Sequence, residues 1–135
     1  MLLFRADGSG LYFSLSVATG RPFGTPNRTE LIQIANRAKR FRSAFGSLGA
    51  IGLASDPELD LRVERGVGVG FKYGSIVHKF YNRDTLPSEE DIERDFLMLS
   101  TAYYDFCSRA DAWDLYYELT LTEAELSGRI DTKGP

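Results

Sequence analysis

The sequence predicts an α+β domain: a small mixed or antiparallel sheet, built from an opening β-hairpin plus a later strand, packed with two main helices. Apolar residues alternate through 11–18, recur at helical spacing through 28–45 and again from residue 89 to about 109, and a β-branched, aromatic run fills 75–81. Length agrees with one domain, since 135 residues can enclose a core that folds unaided. Hydrophobic content of 43%, with no apolar run near ~20 residues, argues against a membrane span.

The chain opens on a strand, Leu2 to Arg5, and the turn residues Ala6 to Gly10 lead into a second, LYFSLSVA. Tyr12, Ser14 and Ser16 alternate there with Leu11, Phe13, Leu15 and Val17, the period of a strand buried on one face. Together the two strands predict a hairpin with a glycine-rich connection. Asn27, with Glu30 three residues on, marks a helix start. The helix predicted over 28–45 carries the stripe Leu31, Ile34, Ala35, Ala38, Phe41 and Phe45, and Gly46 is placed to stop it.

Residues 47–74 resist assignment because glycines at 49, 52, 66, 68, 70 and 74 break every period. A strand at Ile51 to Ala54, a turn at Asp56 and Pro57, and a short strand or helical turn at Leu59 to Glu64 are expected, with GVGVGFKYG as a loop. Ser75 to Tyr81 is the clearest later strand. Ser88 then caps a second long helix whose first turn is acidic, suiting the helix dipole, and whose buried stripe reads Ile92, Phe96, Leu99, Tyr103 and Phe106. Trp113 to Leu119 either extends that helix or docks on the sheet, and 111–135 as a whole reads as a C-terminal extension or linker.

Little here supports catalysis. His78 is the only imidazole and reads as a packing or hydrogen-bonding residue, while Cys107, the only cysteine, reads as a small apolar filler. No nucleophile and base form a recognisable pair, no His/Cys set suits zinc, and the glycine run lacks the order of a phosphate loop. The acidic residues Glu89, Glu90, Asp91, Glu93 and Asp95 are explained by the helix dipole. No catalytic residue, cofactor or metal is therefore expected. The N-terminus lacks a charged n-region and a long apolar core, so a cytoplasmic location is expected.

Charge is divided along the chain. Residues 1–85 hold 12 Lys/Arg against 7 Asp/Glu, net +5, and residues 86–135 hold 4 against 12, net −8. Arg21 and Arg28 flank Phe23, Lys72 lies between Phe71 and Tyr73, and Lys79 and Arg83 bracket Phe80 and Tyr81. Cations that neutralise phosphates beside aromatic faces suit nucleic acid, which makes Arg21, Arg28, Lys72, Lys79 and Arg83 the phosphate-binding candidates. A competing reading gives the aromatic residues to the core and the basic end of the first helix to its dipole.

The order of pieces LLFRADGSGLYFSLSVATG, a helix, YGSIVHKFY, LPSEEDIERDF and AYYDF resembles the McrB-like N-terminal domain of modification-dependent (type IV) restriction systems, over roughly residues 1–108. That resemblance implies an α+β module that recognises modified cytosine in DNA by flipping the base into a pocket. It further implies a GTP-hydrolysing motor and a nuclease as fused or separate partners. Against the family pattern, residues 1–110 read as a domain lacking its N-terminal part, whose glycine-rich aromatic segment and Pro-Trp strand supply most of the pocket. Leu3 falls where the family places an apolar pocket residue, and Tyr12 and Tyr73 join it as base-pocket candidates. Two classes of function follow: a non-catalytic DNA-recognition module, or a protein-interaction or structural domain using the acidic second helix and the segment Trp113 to Leu119.

Overall fold

The computed structural model describes residues 1–19, 23–45, 53–109 and 111–120, without the side chains of 119 and 120. Strands β1 (Leu2–Phe4), β2 (Gly10–Ser16) and β3 (Ser75–Asn82) form an antiparallel sheet in the order β1-β2-β3. Helices α1 (Arg28–Phe45), α2 (Gly68–Tyr73), α3 (Glu89–Cys107) and α4 (Ala112–Thr120), with a 3-10 turn at Arg83–Thr85, complete the described elements. None of the described helices is long and apolar enough to cross a membrane.

The predicted hairpin is present, with Leu3 opposite Tyr12 and Phe4 opposite Leu11. Gly8 supplies the left-handed conformation (φ 72°) that its turn requires. On the far side of β2, Tyr12 faces Phe80 and Phe13 faces Lys79, and an irregularity between Leu15 and Ser16 shifts the register. Strand β2 is therefore central. It is not half-buried as its alternation suggested: Tyr12 and Ser14 are buried along with Phe13. The reason is a second layer of chain, since Leu59 and Leu61 close over Tyr12 while α1 and α3 meet the main core around Phe13, Ile34, Phe41, Val77, Leu99 and Phe106.

Helix α1 spans the residues its sequence predicts, and it starts on a reciprocal capping box. The Asn27 side chain accepts from Glu30 N at 2.9 Å, and Asn27 N donates to the Glu30 carboxylate at 2.7 Å. Ser88 caps α3 as expected, accepting from Asp91 N at 3.2 Å. The buried stripe of α3 differs from expectation: Asp95, Leu99 and Phe106 are buried, whereas Ile92, Phe96 and Tyr103 are exposed. A carboxylate at 95 finds partners inside, which turns the helix away from the phase that its aromatic residues alone suggest. Phe96 still stacks on Phe13 with ring centroids 5.7 Å apart.

The glycine run is helical at 68–73, not a loop. Tertiary contact overrides its poor propensity: Val69 is buried, and a Cβ at Gly70 would lie 3.0 Å from Thr19 and 3.3 Å from Pro26, so glycine lets the helix approach that loop. Of the strand expected at 51–54, Ala54 makes an isolated bridge to His78, and 51 and 52 lie outside the described residues. Residues 59–64 form neither a strand nor a helical turn. Residues Ala112–Thr120 do not continue α3; they form the separate helix α4, whose Leu115 packs against the main core cluster and whose Tyr116 ring lies 6.2 Å from Phe41 of α1. Cys107 is exposed at the end of α3 and fills no core space.

Candidate nucleic-acid interface

The turn between β1 and β2 gathers cations that lie far apart in sequence. Arg5 packs its guanidinium 4.2 Å above the Phe80 ring and donates through Nε to the Asp60 carbonyl at 2.9 Å. A second nitrogen meets the Asp60 carboxylate at 3.3 Å, so Arg5 is held as a brace between β1 and the 59–63 segment. Arg62 lies 2.9 Å from the same carboxylate and 4.0 Å from that of Asp7 in the turn. Its backbone is left-handed (φ 56°), the only described non-glycine residue so placed. For an L-residue this costs roughly 1 kcal/mol.

Beyond Arg62 the surface falls into an open depression of about 700 Å³ lined by Asp60, Arg62, Val63, Glu64, Arg65 and Lys72. Lys72 comes from the last turn of α2 and pairs with Glu58 at 3.4 Å, while the exposed Arg65 stands at the opposite end of the 62–65 segment. Three cations thus meet around one concavity, whose lining also holds the carboxylates of Asp60 and Glu64. Arg83 follows β3, its backbone N bonded to Ser9 O at 3.0 Å, which puts it beside the same turn. Its side chain is exposed and touches Asp84.

Of the residues that the sequence marks for phosphate contact, the structure brings Lys72 to this depression and Arg83 to the neighbouring turn. Arg28 is exposed in the first turn of α1, and the loop before it is tied to this region by Gly66 N donating to Thr25 Oγ1 at 2.7 Å. Lys79 lies on the other face of β3. Its ammonium sits 2.9 Å from the buried carboxylate of Asp95, which also accepts from Tyr81 Oη at 2.8 Å. Burial works to raise the Asp95 carboxyl, but the hydrogen bonds from Lys79 and Tyr81 and the Lys79 charge outweigh it and hold it below the ordinary carboxylate range. Burial and the same carboxylate push the Tyr81 phenol well up. Arg21 lies outside the described residues.

Of the base-pocket candidates, Leu3 and Tyr12 come together and Tyr73 lies apart from them. Leu3 and Tyr12 belong to one apolar cluster with Leu59 and Leu61, and the Tyr12 hydroxyl accepts from Asp60 N at 3.2 Å. Tyr73 packs against the other cluster. Arg62 and Arg65 were missed because the segment between Leu59 and Gly66 has no period. The charge pattern Arg62-x-x-Arg65 directly before a glycine run was the available signal.

A second polar constellation was also hidden in sequence. Ser75 Oγ lies 3.2 Å from His78 Nδ1, and His78 Nε2 lies 3.4 Å from Asp56. Ser75 is joined to Ser14 at 2.9 Å and Ser14 to Ser16 at 2.8 Å. Ser75 and His78 are buried, so this serine, imidazole and carboxylate form an internal hydrogen-bond chain instead of presenting a nucleophile. Burial holds the imidazole below its ordinary pKa, with Asp56 partly offsetting that effect. Among the described residues no group of three or more His, Cys, Asp or Glu is arranged to hold a metal ion.

Compared with known proteins, residues 1–108 match a family model described as MrcB-like, N-terminal domain. No curated protein and no solved structure matches.

Proposed function

The chain belongs to the MrcB-like, N-terminal domain family, and from that membership we propose that it is a DNA-recognition module that acts by binding. The family match carries the reading, and the cations around the turn and depression support assigning it to that surface. Arg62, Arg65 and Lys72 meet the phosphates of one strand, with Arg83 and Arg28 extending the track to either side. Counterions released from those phosphates supply the sequence-independent part of the affinity. Arg62 favours this assignment further, because backbone strain collects where function requires a side chain to be held in place.

The base class in this reading is modified cytosine in duplex DNA. GTP hydrolysis and strand cleavage belong to a motor and a nuclease on other domains or subunits, which this module directs to DNA.

Fluorescence anisotropy with a short labelled duplex across a salt series tests both parts. Binding weakens steeply with salt, and alanine at Arg62, Arg65 or Lys72 reduces the log–log slope by about 0.9 for each phosphate no longer neutralised. Absence of salt-dependent binding at low ionic strength would sink the proposal. Equal affinity for duplexes with and without modified cytosine would remove the base assignment and leave the phosphate track.

A further inference from the structure

The far end of the sheet carries a different kind of surface. Helices α1, α3 and α4 leave between them a groove of about 430 Å³ with Val17, Phe41, Phe45, Ile76 and Phe106 in its wall. This volume is within the ~300–1,000 Å³ of ordinary ligand clefts. Its rim is aromatic. Tyr103, Trp113 and Tyr116 line the mouth, and Trp113 is 82% exposed, an unusual state for the largest apolar side chain. Helical geometry puts Tyr117, also exposed, one turn on from Trp113 along α4, so the apolar strip continues beyond the groove.

Charge around the strip has one sign. From Met98 to Thr120 the sequence holds Asp105, Asp111, Asp114 and Glu118 against a single cation, Arg109. Both hydrogen bonds of the Arg109 guanidinium, at 3.0 Å, go to the Asp111 carboxylate. Asp114 and Glu118, one turn apart, flank the aromatic strip of α4 and have no cation on their own helix. A groove that accepts apolar side chains, edged by Trp and Tyr and bordered by carboxylates, fits a protein segment with apolar anchors and lysines or arginines around them. DNA would be repelled from this side.

We infer that the α3–α4 groove is a docking site for a basic, amphipathic segment of another protein chain. Its apolar side chains enter between Phe41, Phe106 and Trp113, and its cations meet Asp114 and Glu118. This surface is distinct from the cations at the β1–β2 turn, and it stands whether or not those cations bind DNA.

The chain has one tryptophan and one cysteine, and both lie on the groove. The test uses the whole chain and a synthetic helical peptide with leucines at i, i+3 and i+4 among lysines, beside the same peptide with glutamates in place of lysines. With the lysine peptide, Trp113 emission moves to shorter wavelength and alkylation of Cys107 slows. The glutamate peptide does neither. Asp114→Lys with Glu118→Lys, both at exposed positions, weakens the lysine peptide by about tenfold or more. Trp113→Ala weakens it too, read through Cys107. No response to the lysine peptide, or an equal response to both peptides, overturns the inference. So does a blue shift that grows with protein concentration alone, which would give the groove to a second copy of this chain.

Discussion

The ammonium of Lys79 on β3 lies 2.9 Å from the carboxylate of Asp95 on α3, whose side chain is only 3% exposed. A charge, and not only apolar contact, fastens the last strand to the helix that covers it. Burying a carboxylate is costly unless every lone pair is met, and Tyr81 supplies the second donor at 2.8 Å.

Removing one partner of that pair is expected to be worse than removing both. Asp95→Ala should lower unfolding free energy by ~3 kcal/mol, because it strands the Lys79 ammonium and the Tyr81 hydroxyl. The double variant Lys79→Met, Asp95→Leu should recover at least half of that. Urea titration of the three proteins measures it, and a double variant no better than Asp95→Ala would show that the charge itself is required.

His78 should give the domain a pH-dependent stability between neutrality and mild acid. Its folded pKa lies below the unfolded value near 6.5, so the unfolded state binds the extra proton. Stability is full above that value and falls as pH drops through it towards the folded pKa. The groups facing the ring are Asp56, Ser75, Tyr12 and the charge of Arg42. Asp7, Asp91, Asp95 and Asp111 are held below the usual carboxylate range and titrate at lower pH. Urea midpoints from pH 8 to 5 should therefore decline for the natural chain and decline less for His78→Gln, in which the Met1 α-amino group, held below its ordinary value by burial, still loses stability at the upper end of the range.

Gly10 should tolerate no side chain. A methyl there would stand 2.5 Å from the Phe80 ring and 2.6 Å from the Tyr81 carbonyl oxygen, one of them fixed backbone. Gly10→Ala is expected to cost about 2 kcal/mol or more, as overpacking does in close-packed interiors. A thermal unfolding midpoint within a degree or so of the natural chain would contradict it.

Arg62→Gly separates binding from stability. Glycine relieves a left-handed residue by roughly 1 kcal/mol, and the two exposed carboxylate pairings it removes are each worth about that or less. Stability should stay nearly constant while DNA affinity drops and its salt slope decreases by about 0.9. An unfolded variant, or one with undiminished affinity, would remove Arg62 from the interface.

Much of the frame was legible because its signals are local. The Asn27 and Glu30 box, the Ser88 cap, the Gly8 turn and the strand run from Ser75 each specify their own boundaries through neighbouring residues. What escaped depends on distant partners. Helix α2 is placed by distant chain: Gly70 lets it approach a loop some forty to fifty positions earlier, at Thr19 and Pro26. Asp95 turns inward because Lys79 and Tyr81 wait on a strand, and a sequence pattern counts a carboxylate as surface. The same holds for the candidate interface: Lys72 and Arg83 stood out beside aromatic residues, but only the fold brings Arg62 and Arg65 to them.

The hydroxyl row of Ser16, Ser14, Ser75, His78 and Asp56 has a direction as well as a route. With a neutral imidazole giving its Nε2 proton to Asp56, Nδ1 is an acceptor, and each serine can point its single proton one step towards the ring. A second proton on His78 makes Nδ1 a donor, leaves the Nε2 donation to Asp56 as it was, and obliges Ser75 to turn its own proton away from the ring, with Ser14 Oγ an acceptor in reach. Ser16, at the other end, lies in the wall of the α3–α4 groove. The ionisation of one buried ring thus reorients a hydroxyl in a row whose last member borders that groove.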